Sequence, residues 1–86
     1  MSAVTLYTKT FCGYCMAAKR FLKQHGIEFE EIDIQSDETL REEMIERAEG
    51  RYTVPQIFID GHGIGGYMEL RALDSSGELD KLLQGS

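Results

Sequence analysis

The apolar positions of the chain change period several times, and each change marks an element. Val4 to Thr8 is rich in β-forming residues and predicts a buried strand. From Met16 to His25 the spacing becomes helical, with Ala17, Ala18, Phe21 and Leu22 on one face. Gly26 is placed to take the left-handed conformation that ends such a helix. Ile27 to Ile34 alternates again, Ile27, Phe29, Ile32 and Ile34 interleaving with acidic residues, with a slip of phase at Glu30-Glu31. This predicts a second strand. Ser36 and Asp37 are N-cap candidates for a helix whose buried stripe is Leu40, Met44, Ile45 and Ala48, closed by Gly50. Gln56 to Asp60 predicts a third strand, Gly61-His62-Gly63 a turn, and the residues around Ile64 a short fourth strand. Leu70 and Leu73 predict a short helix after Gly65-Gly66. Ser75-x-x-Glu78 has capping-box spacing for a last helix carrying Leu79, Leu82 and Leu83.

The order is β-α-β-α-β-β-α-α. A β-α-β start implies parallel strands joined by a right-handed crossover, and the tight third connection implies an antiparallel hairpin. The fold class is therefore α/β, a four-stranded mixed sheet flanked by helices. At 86 residues, folding buries about 60–65% of the unfolded chain's surface, enough for one small core. One domain over residues 1–86 is expected.

Chemistry enters where the first strand gives way to the first helix, at Cys12-Gly13-Tyr14-Cys15. These are the only cysteines in the chain. The first turn of a helix has unpaired N–H groups and a dipole that favours negative charge, so a cysteine held there reaches its nucleophilic thiolate form more readily. Lys9 can add a positive charge nearby. A static disulfide closing so small a loop would add little stability. Zinc needs about four ligands, and His25 and His62 do not stand at finger-like spacing. His25 reads as a helix-end residue and His62 as a turn residue. Tyr7 and Phe58 read as core, and nothing decides whether Tyr52 borders a site.

The net charge of −6, from 15 acidic and 9 basic residues, argues against general nucleic-acid binding, which needs a basic surface. No apolar run approaches the ~18 residues that span a bilayer, so no membrane role is expected. Met1-Ser2-Ala3-Val4 lacks the basic start and apolar stretch of a signal peptide. The expected location is cytoplasmic, where a CxxC pair beside a βαβ pattern reads as a thioredoxin-like redox motif.

Tyr7-Thr8-Lys9 before Cys12-Gly13-Tyr14-Cys15, then Thr53-Val54-Pro55, then Gly65-Gly66, in this order and on these elements, resemble the glutaredoxins, above all the small bacterial dithiol members. The resemblance spans almost the whole chain. It implies a thioredoxin fold and a glutathione-dependent thiol–disulfide oxidoreductase acting on glutathione mixed disulfides and protein disulfides. By the resemblance Cys12 is the nucleophile, and Cys15 resolves a mixed disulfide on it. Lys9 holds the glycyl carboxylate of glutathione and Tyr14 forms a wall of the groove. The Val54–Pro55 bond is cis in the family, letting the Val54 backbone pair with the cysteinyl unit of glutathione while Thr53 flanks the contact. Gly66, Tyr67 and Met68 lie where backbone N–H groups receive the γ-glutamyl carboxylate.

Two departures stand out. After its two glycines many members carry Cys or Ser, then Asp or Ser, then Asp; this chain has Tyr67-Met68-Glu69. Glu69 can receive the γ-glutamyl ammonium on a longer arm, whereas Met68 supplies no useful hydrogen bond. Gly13 stands where many dithiol members have proline. Members with a small residue there more often share a [2Fe–2S] cluster between two monomers through one cysteine each and two glutathiones, and this cluster-carrying or sensing dimer, ligated by Cys12, is the alternative reading. The expected reductase form is a monomer with no resident metal. A thioredoxin-like reductase served by a reductase protein is a third reading, disfavoured by Lys9 and Gly65-Gly66 as grips for a small anionic peptide.

Overall fold

The computed structural model describes residues 3–84. Met1 and Ser2, part of the stretch inspected for a signal peptide, lie outside the described residues, as do Gly85 and Ser86. The elements are β1 (Val4–Thr8), α1 (Gly13–Gln24), β2 (Glu30–Asp33), α2 (Glu38–Arg47), β3 (Gln56–Ile59), β4 (His62–Gly65), α3 (Tyr67–Ser76) and α4 (Glu78–Leu83). They form one four-stranded sheet in the order β2-β1-β3-β4. β1 and β2 are parallel, while β1/β3 and β3/β4 are antiparallel. The βαβαββαα order and the mixed sheet are those the hydrophobic pattern predicts, and the thioredoxin fold is the one the resemblance implies.

Strand alternation sorts the core into two layers. Val4 and Leu6 of β1, with Ile57 and Ile59 of β3, meet Ala18, Phe21 and Leu22 of α1, Leu70 of α3 and Leu79 of α4. The opposite face carries Tyr7 and Phe58, which pack with Ile34, Met44 and Ala48 beneath α2. Tyr7 and Phe58 meet edge to face with centroids 5.6 Å apart, and the Arg47 guanidinium lies 4.5 Å over the Phe58 ring while donating to the Tyr7 hydroxyl (2.6 Å). Both aromatics are core residues.

Several boundaries differ from the sequence reading. α1 begins at Gly13 rather than Met16, because Cys12 itself caps it. β2 covers only Glu30–Asp33, not Ile27–Ile34. The phase slip marks a change of face: Ile27 and Phe29 precede the strand and pack on the α1 side, whereas Ile32 and Ile34 pack on the α2 side. The third connection is a two-residue Asp60-Gly61 turn, with φ of 52° and 83°, so Asp60 leaves β3 and His62 and Gly63 already belong to β4. Positive φ at both residues matches the twist of the hairpin, which is why Asp-Gly is favoured there.

Glycine takes the left-handed position at the ends of α1 and α3 but not at the end of α2. At the end of α1, Gly26 (φ 68°) bonds back to the Lys23 carbonyl and Ile27 to that of Leu22, the paired pattern of a left-handed cap. At the end of α2 Glu49 takes the left-handed position (φ 57°), with Gly50 one residue further. Ser75-x-x-Glu78 is not a capping box. Ser75 lies inside α3, and Gly77 (φ 83°) joins α3 to α4 in a conformation a side chain would resist.

The topology brings one end of the sheet to a focus. Because β1 and β3 are antiparallel, Tyr7 pairs with Gln56, and Ile57 pairs in turn with Gly65. The segment after β1, the segment before β3 and the segment after β4 therefore leave the sheet together. Leu70, fully buried, presses α3 against this end. Leu70→Ala is expected to lower the unfolding free energy by about 3 kcal/mol, read as a lower urea midpoint at unchanged slope.

Candidate active site

Cys12 leaves β1's loop in an extended conformation (φ −109°, ψ 113°), and its sulfur accepts the Cys15 N–H at 3.2 Å. Cys12 is thus the N-cap of α1 and Cys15 its third residue, the pair of positions that a capping side chain and its backbone donor usually occupy. The helix N-terminus favours negative charge on this sulfur. The Cys12 thiol also faces the Val54 carbonyl, to which it donates at 3.8 Å. It is partly exposed, whereas Cys15 is buried; both thiols are free. Burial, followed by the Cys12 sulfur beside it, pushes the Cys15 thiol up to about 12. At neutral pH Cys15 is a protonated thiol beneath an accessible one.

Val54–Pro55 is a cis peptide bond, and Gln56 begins β3 immediately after it. Gln56 is buried. Its carboxamide donates to the Thr53 carbonyl (2.9 Å) and hydroxyl (3.2 Å), tying the loop to the strand. On the other side, Gly65 (φ 104°) and Gly66 lead into α3. The Glu69 carboxylate reaches back to accept the Gly66 N–H at 2.6 Å, one half of a capping box. A Cβ built on Gly65 would come within 2.7 Å of both Arg51 Nη1 and Glu69 Oε1, so the position needs glycine for space as well as for φ.

A groove of about 380 Å³ opens between these segments. Of the residues expected from sequence, Tyr14, Thr53, Val54, Pro55, Gly66 and Glu69 line it. Tyr67 stands beside it, its ring 6.2 Å from that of Tyr14 and its hydroxyl accepting from Arg71 at 2.9 Å. Lys9, Met68 and Tyr52 are exposed and do not line the groove. His25 stacks on Phe21 at the end of α1, as a helix-end residue should; His62 lies in β4 rather than in the turn.

Two lining residues were missed. Gln56 had a signal, a polar side chain inside an otherwise apolar strand. Arg51 had none beyond its place two residues before Thr53, since only the fold carries it across to Gly65. Phe11, next to Cys12, is left-handed (φ 57°) and almost wholly exposed.

A dithiol whose outer sulfur caps a helix, set against a cis-proline loop on a β2-β1-β3-β4 sheet, defines the class: a dithiol protein of the thioredoxin fold. Within that class, the glutaredoxin family model matches residues 4–64. Glutaredoxin 3 of Escherichia coli strain K12 is 51% identical over 84 residues, covering 98% of this chain and all of that protein. The solution structure of glutaredoxin from Brucella melitensis superposes with a TM-score of 0.81 at 48% identity, over 94% of this chain and 87% of that one. The crystal structure of the buckwheat glutaredoxin–glutathione complex gives 0.86 at 27% identity, over 96% of this chain and 77% of that one. The chain belongs to the glutaredoxin family.

Two outcomes follow from the thiol environments. Iodoacetamide at neutral pH should alkylate Cys12 alone in the folded, reduced protein, with Cys15 reacting only on unfolding; mass spectrometry after digestion reads this directly. Cys15 also couples stability to pH. Its raised value means the unfolded chain loses this proton near 9.0 while the folded one retains it to about 12. Stability of the reduced protein should therefore be fully present below pH 9 and decline between pH 9 and 12, and Cys15→Ala should flatten that decline in urea titrations.

Proposed function

We propose that the groove beside Cys12 binds the glutathione portion of a mixed disulfide and that Cys12 attacks its sulfur. As a glutaredoxin the chain is a glutathione-dependent thiol–disulfide oxidoreductase. The observation that carries the assignment of roles is the asymmetry of the thiols: Cys12 is accessible and capped by the Cys15 N–H, while Cys15 is buried and protonated.

The Cys12 thiolate attacks the glutathionyl sulfur of a protein mixed disulfide. A Cys12–glutathione disulfide forms and the protein thiolate leaves, taking up a proton. A second glutathione thiolate then attacks the glutathionyl sulfur, releasing glutathione disulfide and restoring the Cys12 thiolate. With a protein disulfide, Cys12 first forms a mixed disulfide with the substrate. Cys15 gives up its proton as it displaces the substrate thiol, and two glutathiones later reduce the Cys12–Cys15 bond.

The groove supports a placement of glutathione. Its cysteinyl backbone pairs with that of Val54, flanked by Thr53 and Pro55, with Tyr14 as a wall. The γ-glutamyl carboxylate lies at the start of α3, at Gly66, Tyr67 and Met68, where a helix N-terminus suits an anion. Glu69 takes the ammonium, and Lys9, outside the groove's lining, reaches the glycyl carboxylate. The buckwheat relative was solved as a glutathione complex, which supports the same ligand here. The unit is the single domain of residues 1–86, a cytoplasmic monomer acting on glutathionylated and disulfide-containing proteins, with no nucleic-acid or membrane partner. Among the described residues no helix is long and apolar enough to cross a membrane.

A shared [2Fe–2S] cluster is the rival reading. Among the described residues no group of three or more His, Cys, Asp or Glu could hold a metal ion, so such a cluster would need Cys12 from two chains together with outside thiols.

Steady-state reduction of a glutathionylated peptide separates the roles. Wild type should turn over, Cys12→Ser should lose activity entirely, and Cys15→Ser should keep most of it because a mixed glutathione disulfide needs only one thiol. Negligible wild-type turnover, with an iron–sulfur absorption band after anaerobic reconstitution with glutathione, would instead favour the cluster.

A further inference from the structure

Acidic residues are unevenly placed along the chain. All 15 lie from Glu28 onward, so the segment that carries Cys12 and α1 has Lys9, Lys19, Arg20 and Lys23 and no acid. In a protein of net charge −6, the helix that presents the reactive sulfur is therefore the cationic part. Lys19 pairs with Glu31 at 3.0 Å, but Arg20 bonds no group among the described residues. Arg20 lines a cleft of about 320 Å³ between α1 and α3, with Arg71 of α3 on the other wall. Arg71 donates to the Tyr67 hydroxyl (2.9 Å), which takes one of its five N–H donors. Asp74, the acid lining the cleft, lies further along α3 and faces His25 at 3.8 Å. The cleft meets the groove beside Cys12: Tyr14 lines the groove, Tyr67 lines the cleft, and their rings are 6.2 Å apart.

We propose that the α1/α3 cleft receives an acidic segment of a polypeptide substrate, with a carboxylate side chain between Arg20 and Arg71 while the substrate's cysteine is joined to Cys12. This rests on the reading of the groove as a glutathione site, which sets the direction of the chain. There the γ-glutamyl unit, which precedes the cysteinyl unit, lies at the start of α3. Residues preceding the reacting cysteine of a polypeptide on the same track therefore head towards Tyr67 and the cleft. Arg20 is eight residues beyond the Cys12 cap, about 12 Å along the helix. An extended chain covers that span in about four residues, so the carboxylate belongs about four residues before the cysteine. Glutathione is too short to reach this far, and the cleft thus separates polypeptide substrates by their charge without acting on the small thiol. Guanidinium groups suit the task because each can donate two parallel hydrogen bonds to one carboxylate.

Peptides of one sequence, each with a single cysteine held as its mixed disulfide with thionitrobenzoate, separate charge recognition from a structural role. The Cys12 thiolate attacks the peptide sulfur, a Cys12–peptide disulfide forms, and thionitrobenzoate, the better leaving group, departs as a coloured thiolate. One peptide carries glutamate four residues before its cysteine, a second carries glutamine there, and a third carries the glutamate four residues after. At low salt, reduced wild type should react with the first roughly fivefold faster than with the others, the upper scale of an exposed ion pair. At about 1 M salt, where screening acts within about 3 Å, the preference should vanish. Arg20→Gln should lose most of it at an unchanged rate on the glutamine peptide, Arg20→Lys should keep part, and Arg20→Gln with Arg71→Gln should abolish it. An undiminished preference in Arg20→Gln, no preference in wild type, or an equal gain from glutamate after the cysteine would each overturn the inference. So would an equal slowing of Arg20→Gln on all three peptides, which would make Arg20 a support of the fold or the thiol. Glutathione-dependent turnover of a glutathionylated peptide is measured on the same preparations. Failure of charge discrimination alone leaves the glutathione reading standing, whereas failure of that turnover overturns the reading and the chain direction argued from it.

Discussion

One hydrogen bond sets the rest of the molecule in place, from the Cys15 N–H to the Cys12 sulfur. The CxxC spacing equals the interval from an N-cap to the third helical residue, so a sulfur takes the position where serine or aspartate oxygen commonly ends a helix. The same contact that starts α1 therefore delivers the helix N-terminus to the reactive atom. It also divides the two thiols. The cap residue lies outside the helix and meets solvent, whereas the residue three further on turns into the layer beneath α1 and is buried. A single local geometry thus produces both an accessible sulfur and a protonated reserve.

That geometry is useful only because the helix is aimed. Ala18, Phe21 and Leu22 hold α1 on the sheet with Leu6 and Ile57, and the antiparallel β1/β3 register carries the Pro55 loop to the same end. A side-chain tie adds to this: the Thr8 hydroxyl donates to Glu31 at 2.7 Å and Lys19 of α1 reaches the same oxygen at 3.0 Å. The Thr8 hydroxyl, more than the lysine, holds Glu31 below its ordinary carboxylate value. Strand β2, though an edge with little buried area, is in this way tied to both β1 and α1.

The charges near the groove follow a different logic from those elsewhere. Most acidic side chains are exposed on helix faces and act on solubility. Glu69 instead folds back on its own helix start, and Arg51 stands next to it with Gly65 keeping the space between them clear.

Much of this was legible in the residues themselves. The period of the apolar positions placed every strand and helix, because burial on one face imposes that period locally. The CxxC pair, Pro55 and the two glycines marked the candidate site, because each is a residue type with few other uses at such positions. Boundaries were less legible: a sulfur cap does not look like a cap, so α1 seemed to begin three residues late, and Ser75-x-x-Glu78 matched a capping box that Gly77 makes unnecessary. Gln56 left a trace, a polar residue in an otherwise apolar strand whose carboxamide bonds the nearby Thr53. Arg51 was decided by tertiary structure alone: its place in the groove depends on where the loop before β3 passes α3, a relation between segments that are neighbours only after the sheet has formed, and no local spacing records it.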